Sequence, residues 1–291
     1  MEIDGDGQLD ILSGSYSRHD QDMAGLFQLL RGNKDGTWNA PEVLNGTDGQ
    51  PLIITMSTAS KGDDGPPIIE KICTRPTAVD LDGDGKLDIV SGNFAGTFAF
   101  FRGEGGGKFA PKSTWLEADG KPMHVEHHSD PFFVDWDKDG DLDLVSGSAS
   151  GGVFLFRNVG SKTAPKFAKM ETLLPTQDHH HETKLGSAHI TGPQGSTRVW
   201  VDDVNGDGKL DLLIGDSVSL TFAAKGVDEA TALKAIATHA EKQQKVFAKM
   251  KPDAPEAEQD ALQKELEALD AEREKFAVDE MTGFVWLLLG K

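Results

Sequence analysis

Cysteine is almost missing from this chain: Cys73 is the only one in 291 residues. One cysteine excludes an intrachain disulfide framework, and by type it reads as a small buried hydrophobe rather than a nucleophile. Positive charge is scarce too, with 29 Lys and Arg against 48 Asp and Glu and a formal net charge of −19. That balance excludes nucleic acid as a partner, because neutralising phosphates needs a basic face. No apolar run approaches the roughly 18 residues of a membrane span, so no membrane insertion is expected. Aromatic residues make up 7%, which gives little sign of sugar-stacking platforms. A nucleophile elbow, a phosphate loop and a dinucleotide fingerprint are all missing. What remains, 37% hydrophobic and 26% charged, is ordinary for a soluble globular protein.

One nine-residue pattern appears four times, starting at residues 2, 80, 135 and 203. Oxygen-bearing residues occupy positions 1, 3 and 5: Glu2, Asp4, Asp6; Asp80, Asp82, Asp84; Asp135, Asp137, Asp139; and Asp203, Asn205, Asp207. A glycine follows at position 6 (Gly7, Gly85, Gly140, Gly208), and an aspartate closes the pattern at position 9 (Asp10, Asp88, Asp143, Asp211). Alternate side chains of a tight turn converge on one side, and so many carboxylates repel one another without a counter-ion. A hard divalent cation wanting six or more oxygens suits them, and calcium tolerates this flexible geometry better than magnesium. The position 7 carbonyls of Gln8, Lys86, Asp141 and Lys209 are expected to complete each ligand set. Up to four calcium ions follow, with the first site weakened by the longer Glu2 beside the chain start and the fourth by Asn205.

An EF-hand is excluded. It needs a bidentate Glu at position 12 and a helix on each side. Here position 12 is Ser13, Ser91, Ser146 or Ile214, and each loop runs into a short apolar, strand-like segment closed by Gly.

The repeat extends beyond the loops. A second strand opens with Gly in each copy: Gly25 to Arg31, Gly96 to Arg102, Gly151 to Arg157 and Gly283 to Leu289. In three copies an aromatic follows (Trp38, Phe109, Phe167), then a further strand near Val43, Trp115 or Leu173. About four antiparallel strands per repeat stack radially as propeller blades, each covering its neighbour's apolar face. Apolar strands precede loops two, three and four, whereas Met1 lies against the first; this reads as a chain with sequence missing upstream.

Residues 225–280 break the pattern and turn to Ala, Glu, Lys and Gln, which favour helix. Leu233, Ile236, Ala240, Phe247 and Met250 predict one apolar stripe, and Leu262, Leu266, Leu269 and Phe276 a second. Pro252 and Pro255 separate the helices, and Asp228 is the expected N-cap. The expected organisation is an all-β propeller of four-stranded blades over 1–224, an inserted α-helical hairpin over 225–280, and a final propeller strand over 281–291. The hairpin is either a solvated decoration or a coiled-coil-like arm for self-association.

The run Asp80-Leu-Asp-Gly-Asp-Gly-Lys-Leu-Asp-Ile-Val-Ser-Gly92, followed by Gly96-Thr-Phe-Ala-Phe-Phe-Arg102, resembles the bacterial FG-GAP/VCBS repeat, related to the calcium-bearing blades of integrin α-chain propellers. The resemblance covers most of 1–222 and 281–291. It implies a calcium-binding β-propeller that is secreted, periplasmic or on the cell surface, and says nothing of the ligand. Family propellers commonly have seven blades, against four repeats here.

Two further constellations stand outside the loops. His124, Glu126, His127 and His128 precede the third blade's inner strand, and His179, His180, His181, Glu182 and His189 precede the fourth's. They are either polar surface connections, a transition-metal site or a general base. Arg75, Asp130 and Arg198 occupy one equivalent position near the start of the inner strands, where they either pair between blades or hold an acidic sugar or peptide carboxylate. The leading expectation is a non-enzymatic interaction or adhesion module for a protein or glycan, with structural calcium. The alternative is a polysaccharide lyase or hydrolase using His124, His127, His128 and Arg75 or Arg198.

Overall fold

A strand sends successive side chains to opposite faces, so a strand that is apolar throughout must be covered on both sides. Phe98–Phe101 and Val153–Phe156 are such strands, and stacking sheets face to face is what covers them. The computed structural model describes residues 1–18, 21–55, 68–177, 184–251 and 255–291. Four small antiparallel sheets follow one another in it as the blades of a propeller.

The first blade comprises Ile11–Gly14, Phe27–Leu30 and Glu42–Val43. The second has Arg75–Val79, Asp88–Gly92, Phe98–Phe101 and Thr114–Trp115 in sequential antiparallel order. The third repeats it with Asp130–Val134, Asp143–Gly147, Val153–Phe156 and Glu171–Leu174. The fourth is built from Gly195–Asp202, the start of Asp211–Ala223, and Val285–Leu288. The four-strand expectation thus holds for the second and third blades, while the first and, within the blade unit, the fourth have three strands.

The chain divides into two compact units. The blades lie in Met1–Gln177, Pro193–Asp216 and Val285–Lys291; the other unit is Asp178–Gly192 with Ser217–Phe284. The helix-bearing unit therefore begins earlier than residue 225. Its helices are carried on a ribbon in which Val218 to Ala223 pair with Ala277 to Thr282. The same long strand pairs Leu212 to Gly215 with Val285 to Leu288 in the blade unit.

Within the blade unit, three buried apolar clusters join successive blades. Phe27 and Leu29 meet Ile89, Ala99 and Phe101. Val90 and Phe98 meet Leu144, Phe154 and Phe156. Val145, Val153 and Leu155 meet Val199, Val201, Leu212 and Ile214. Period two thus divides one strand between two cores, and each buried Phe or Leu contributes about 1.5–3 kcal/mol.

A second device recurs at these junctions. Thr74 and Ser129, each just before an inner strand, and Thr197, near the start of Gly195–Asp202, are buried. Each hydroxyl accepts a backbone N–H of the preceding blade: Ser15 at 2.9 Å, Asn93 at 3.0 Å and Ser148 at 2.9 Å. Each also donates to a carbonyl of that blade: Leu26 at 2.9 Å, Thr97 at 2.6 Å and Gly152 at 2.7 Å. The glycine closing each Leu-Asp-x-x-Ser-Gly strand makes room, since a Cβ on Gly92 or Gly147 would lie 2.0 or 2.2 Å from the Ser129 or Thr197 carbonyl oxygen.

In the other unit, the helices Glu229–Phe247 and Glu256–Arg273 pack together. Asp228 caps the first by accepting the Thr231 N–H. The buried face of that helix corrects the sequence reading. Ala232, Ile236, His239 and Val246 are buried, while Leu233, Phe247 and Met250 are exposed. Their spacing is the 4-3 alternation of a coiled-coil seam, and His239 joins it because its Nε2 meets the Leu269 carbonyl at 2.9 Å. Lys242–Glu272 and Lys249–Glu265 pairs flank the seam. A short helix, Ile68–Lys71, precedes the second blade and was not anticipated. Pro252, His179, His180, His181 and Glu182 lie outside the described residues.

Candidate metal centre

The acidic loops are built by their own backbone. Position 6 needs a positive φ, and Gly7, Gly85, Gly140 and Gly208 adopt 80°, 82°, 97° and 83°. The position 7 N–H then reaches the position 5 carboxylate: Gln8 to Asp6 at 2.8 Å, Lys86 to Asp84 at 3.0 Å, Asp141 to Asp139 at 3.1 Å and Lys209 to Asp207 at 2.9 Å. The position 1 carboxylate takes the position 6 N–H in three loops: Asp80 from Gly85 at 3.1 Å, Asp135 from Gly140 at 3.1 Å and Asp203 from Gly208 at 2.8 Å. Position 7 residues thus help shape the turn through their N–H groups.

Position 9 is the pivot. Asp10, Asp88, Asp143 and Asp211 are all buried. One oxygen of each accepts a loop N–H, from Ile3 at 2.9 Å, Leu81 at 3.1 Å, Trp136 at 2.9 Å or Val204 at 3.0 Å. The other accepts from the far end of the hairpin: Gly32 at 2.9 Å, Gly103 at 2.7 Å, Asn158 at 2.7 Å or Gly290 at 2.8 Å. This aspartate staples the loop to its own blade, a role the ligand pattern alone did not show. Each oxygen keeps a second lone pair.

Three groups of carboxylates converge with oxygens within 4.8 Å of one another: Glu2, Asp4 and Asp6; Asp80, Asp82 and Asp88; and Asp135, Asp137 and Asp143. Two oxygens on one calcium, at roughly 2.3–2.6 Å each, stand at most about 5 Å apart, so these separations fit. Asp80 Oδ1 is buried with no hydrogen-bond partner, and so is Asp141 Oδ1. An orphaned anionic oxygen in such a cluster is costly without a cation. Burial pushes the carboxyls of Asp88 and Asp143 above their ordinary range against the pull of their backbone N–H donors, and Asp82, Asp84, Asp137 and Asp139 add to the push. Burial, then Asp139, raises Asp141 likewise. The first loop, expected to be the weakest, gathers its three carboxylates. In the fourth, no three acidic oxygens come that close among the described residues.

An arginine leans over three of the loops. Arg31 pairs with Asp4, Arg102 with Asp82 at 2.9 Å, and Arg157 with Asp137 at 2.9 Å. Their recurrence at the strand end was legible in sequence; their partner at position 3 was not.

An FG-GAP-like repeat model matches residues 80–146 and 135–214. The chain carries FG-GAP-like repeats. Those segments hold the second, third and fourth loops with their strands, and the four sheets complete the propeller arrangement. A search of curated proteins finds no match. Among solved structures, the FG-GAP-like chain is similar to the Tc holotoxin pore of Photorhabdus luminescens, at 15% identity and a TM-score of 0.35. The similarity covers 71% of this chain and 8% of that one, and at that level carries no argument.

The remaining candidates divide. Arg75 and Asp130 begin neighbouring inner strands and Arg198 is the fourth residue of the next, and Arg198 Nε meets Asp130 Oδ2 at 3.3 Å. Arg75 Nη2 meets His128 Nδ1 at 3.1 Å. His124 is exposed at an isolated bridge with Thr97. His127 and His128 flank Phe94, with ring centroids 6.0 and 4.4 Å away. His189 falls in the other unit. Cys73 is buried, as its type suggested.

Proposed function

We propose that this FG-GAP-like propeller is a calcium-stabilised interaction module working outside the cytoplasm, where calcium is abundant. The orphaned Asp80 Oδ1, facing two further carboxylates in a loop the chain repeats, carries the reading. Asp80, Asp82 and Asp88 would hold one ion, Asp135, Asp137 and Asp143 a second, and Glu2, Asp4 and Asp6 a third. The ion's work is structural. It neutralises carboxylates that otherwise repel, at the connection between a blade's two central strands, and stabilises the folded state by mass action. No helix among the described residues is long and apolar enough to cross a membrane.

Melting curves in excess chelator and in millimolar calcium test this. The melting temperature is expected to fall on chelation and to return with calcium. Superimposable curves would sink the reading.

A further inference from the structure

The protein has seven arginines and a formal net charge of −19. Arg18, Arg31, Arg102, Arg157, Arg198 and Arg273 each have a carboxylate within 4 Å. Arg75 has none among the described residues, although it is half-buried and acidic groups are abundant. The carboxylate that acts on it, Asp130, is already paired with Arg198. Two guanidinium groups therefore share one carboxylate on the inner strands of the second, third and fourth blades. Burial, with Arg198 close by, makes the charged state of Arg75 harder to hold. A half-buried cation without a counter-ion is a costly arrangement, and a ligand anion removes the cost.

The guanidinium is also held in place. Its Nη2 donates to His128 Nδ1 at 3.1 Å and its Nη1 to the His128 carbonyl at 3.5 Å. That uses two of the five donors of an arginine fork and leaves the rest for a planar acceptor. Accepting at Nδ1 makes His128 a neutral imidazole. His128 and its neighbour His127 both have left-handed backbones, φ 48° and 56°, which non-glycine residues avoid. The strained pair is pinned by His128 N–H to the Phe94 carbonyl and Ala149 N–H to the His127 carbonyl, each at 3.0 Å. Strain kept by surrounding bonds, beside an uncompensated arginine, is the pattern of a binding site.

We propose that Arg75, oriented by His128 and assisted by Arg198, receives a carboxylate group of the ligand, with the exposed His127 at its edge. The bidentate fit of guanidinium to carboxylate supplies orientation as well as charge. The site deepens the interaction-module reading by naming ligand chemistry, yet it uses none of the loop carboxylates.

The test follows arginine side-chain Nε–H signals by NMR on the whole chain, in millimolar calcium and again in chelator. Glucuronate, N-acetylglycine and uncharged glucose are the probes. Glucuronate, N-acetylglycine or both should shift the Arg75 signal saturably, glucose should not, and the Arg31 and Arg102 signals should stay. A response to glucuronate alone assigns a sugar acid; a response to both assigns a bare carboxylate. Arg75→Lys keeps the charge but loses the fork, and should weaken binding by about tenfold or more; Arg75→Gln should abolish it. If neither carboxylate gives a saturable shift, or if folded R75K binds as tightly as the parent, the site is refuted. Chelator sensitivity of the melting curve is scored separately, so failure of the calcium reading leaves a different signature.

Discussion

Arg157 Nη1 stands 2.9 Å from Asp137 Oδ2, joining the end of a blade's hairpin strand to the position 3 carboxylate of that blade's acidic loop. The same pair is Arg102 with Asp82 and Arg31 with Asp4. In the fourth blade both members change: Leu289 stands where the arginine would be and Asn205 where the carboxylate would be. The loop that lacks the cation at its rim also lacks the charge that needs it. Exposed pairs of this kind are worth at most about 1 kcal/mol each, so they tune the loops and do not hold them.

Asn205→Asp restores the fourth carboxylate without its arginine. It should raise calcium affinity at that loop by about tenfold, since ligand charge sets affinity in such sites. In chelator it should lower the melting temperature, and adding Leu289→Arg should recover the loss. Titration calorimetry and melting curves read the two effects; an unchanged chelator melting temperature for N205D counts against this account of the pair.

Asp143→Asn tests the staple. The amide can accept from only one of Trp136 N–H and Asn158 N–H, leaving a buried donor facing another. A loss of about 2–3 kcal/mol is expected by denaturant titration in chelator, and a larger one in calcium, because Asp143 is also one of the three carboxylates that would hold the ion. Asp139→Asn, at the exposed position 5, should act mainly in calcium. Equal losses for the two variants in chelator would contradict the division of roles.

Thr197→Val removes the hydroxyl that joins the third and fourth blades while keeping shape. Ser148 N–H and the Gly152 carbonyl both lose their partner, for a loss of about 1–3 kcal/mol. Gly147→Ala should cost at least as much, because its Cβ would meet the Thr197 carbonyl oxygen at 2.2 Å. An alanine there with parental stability would mean the junction is looser than drawn.

His128 should make stability fall in mild acid. Burial, then Arg75, Arg198 and His127, hold its imidazole below the usual 6.5. A depressed pKa means that the unfolded chain binds more protons, so this contribution is complete above about pH 6.5 and declines as pH falls below it. Asp130 shifts the other way, raised by burial against Arg198 and Arg75, so its contribution grows as pH falls and opposes that of His128. His128→Gln should therefore narrow the gap between melting temperatures at pH 7.5 and 5.5. Identical gaps in parent and variant would remove His128 as the cause.

The loop pattern was legible in sequence because it is local: the carboxylates, the glycine and the turn they form lie within nine residues. The blades were legible because a four-strand repeat copied along the chain reveals its own period. The helices were legible too, from composition, and so was the buried Leu262 of the second, but apart from Ile236 the buried face of the first was not. Leu233 and Phe247 are exposed, yet packing between two helices selected Ala232 and Val246, each one position away. A stripe read from one helix cannot include the neighbour that decides which side is covered.

What the sequence alone determined, then, is the set of short-range consequences: where turns close, where strands run, and which carboxylates converge. Only the tertiary structure decided which long-range partner each polar group meets. Asp143 finds Asn158, Thr197 finds Ser148, and six arginines find carboxylates while Arg75 finds His128. These pairs depend on how one blade is stacked against the next. Spacing along the chain carries no record of that until the folded sheets bring the partners together.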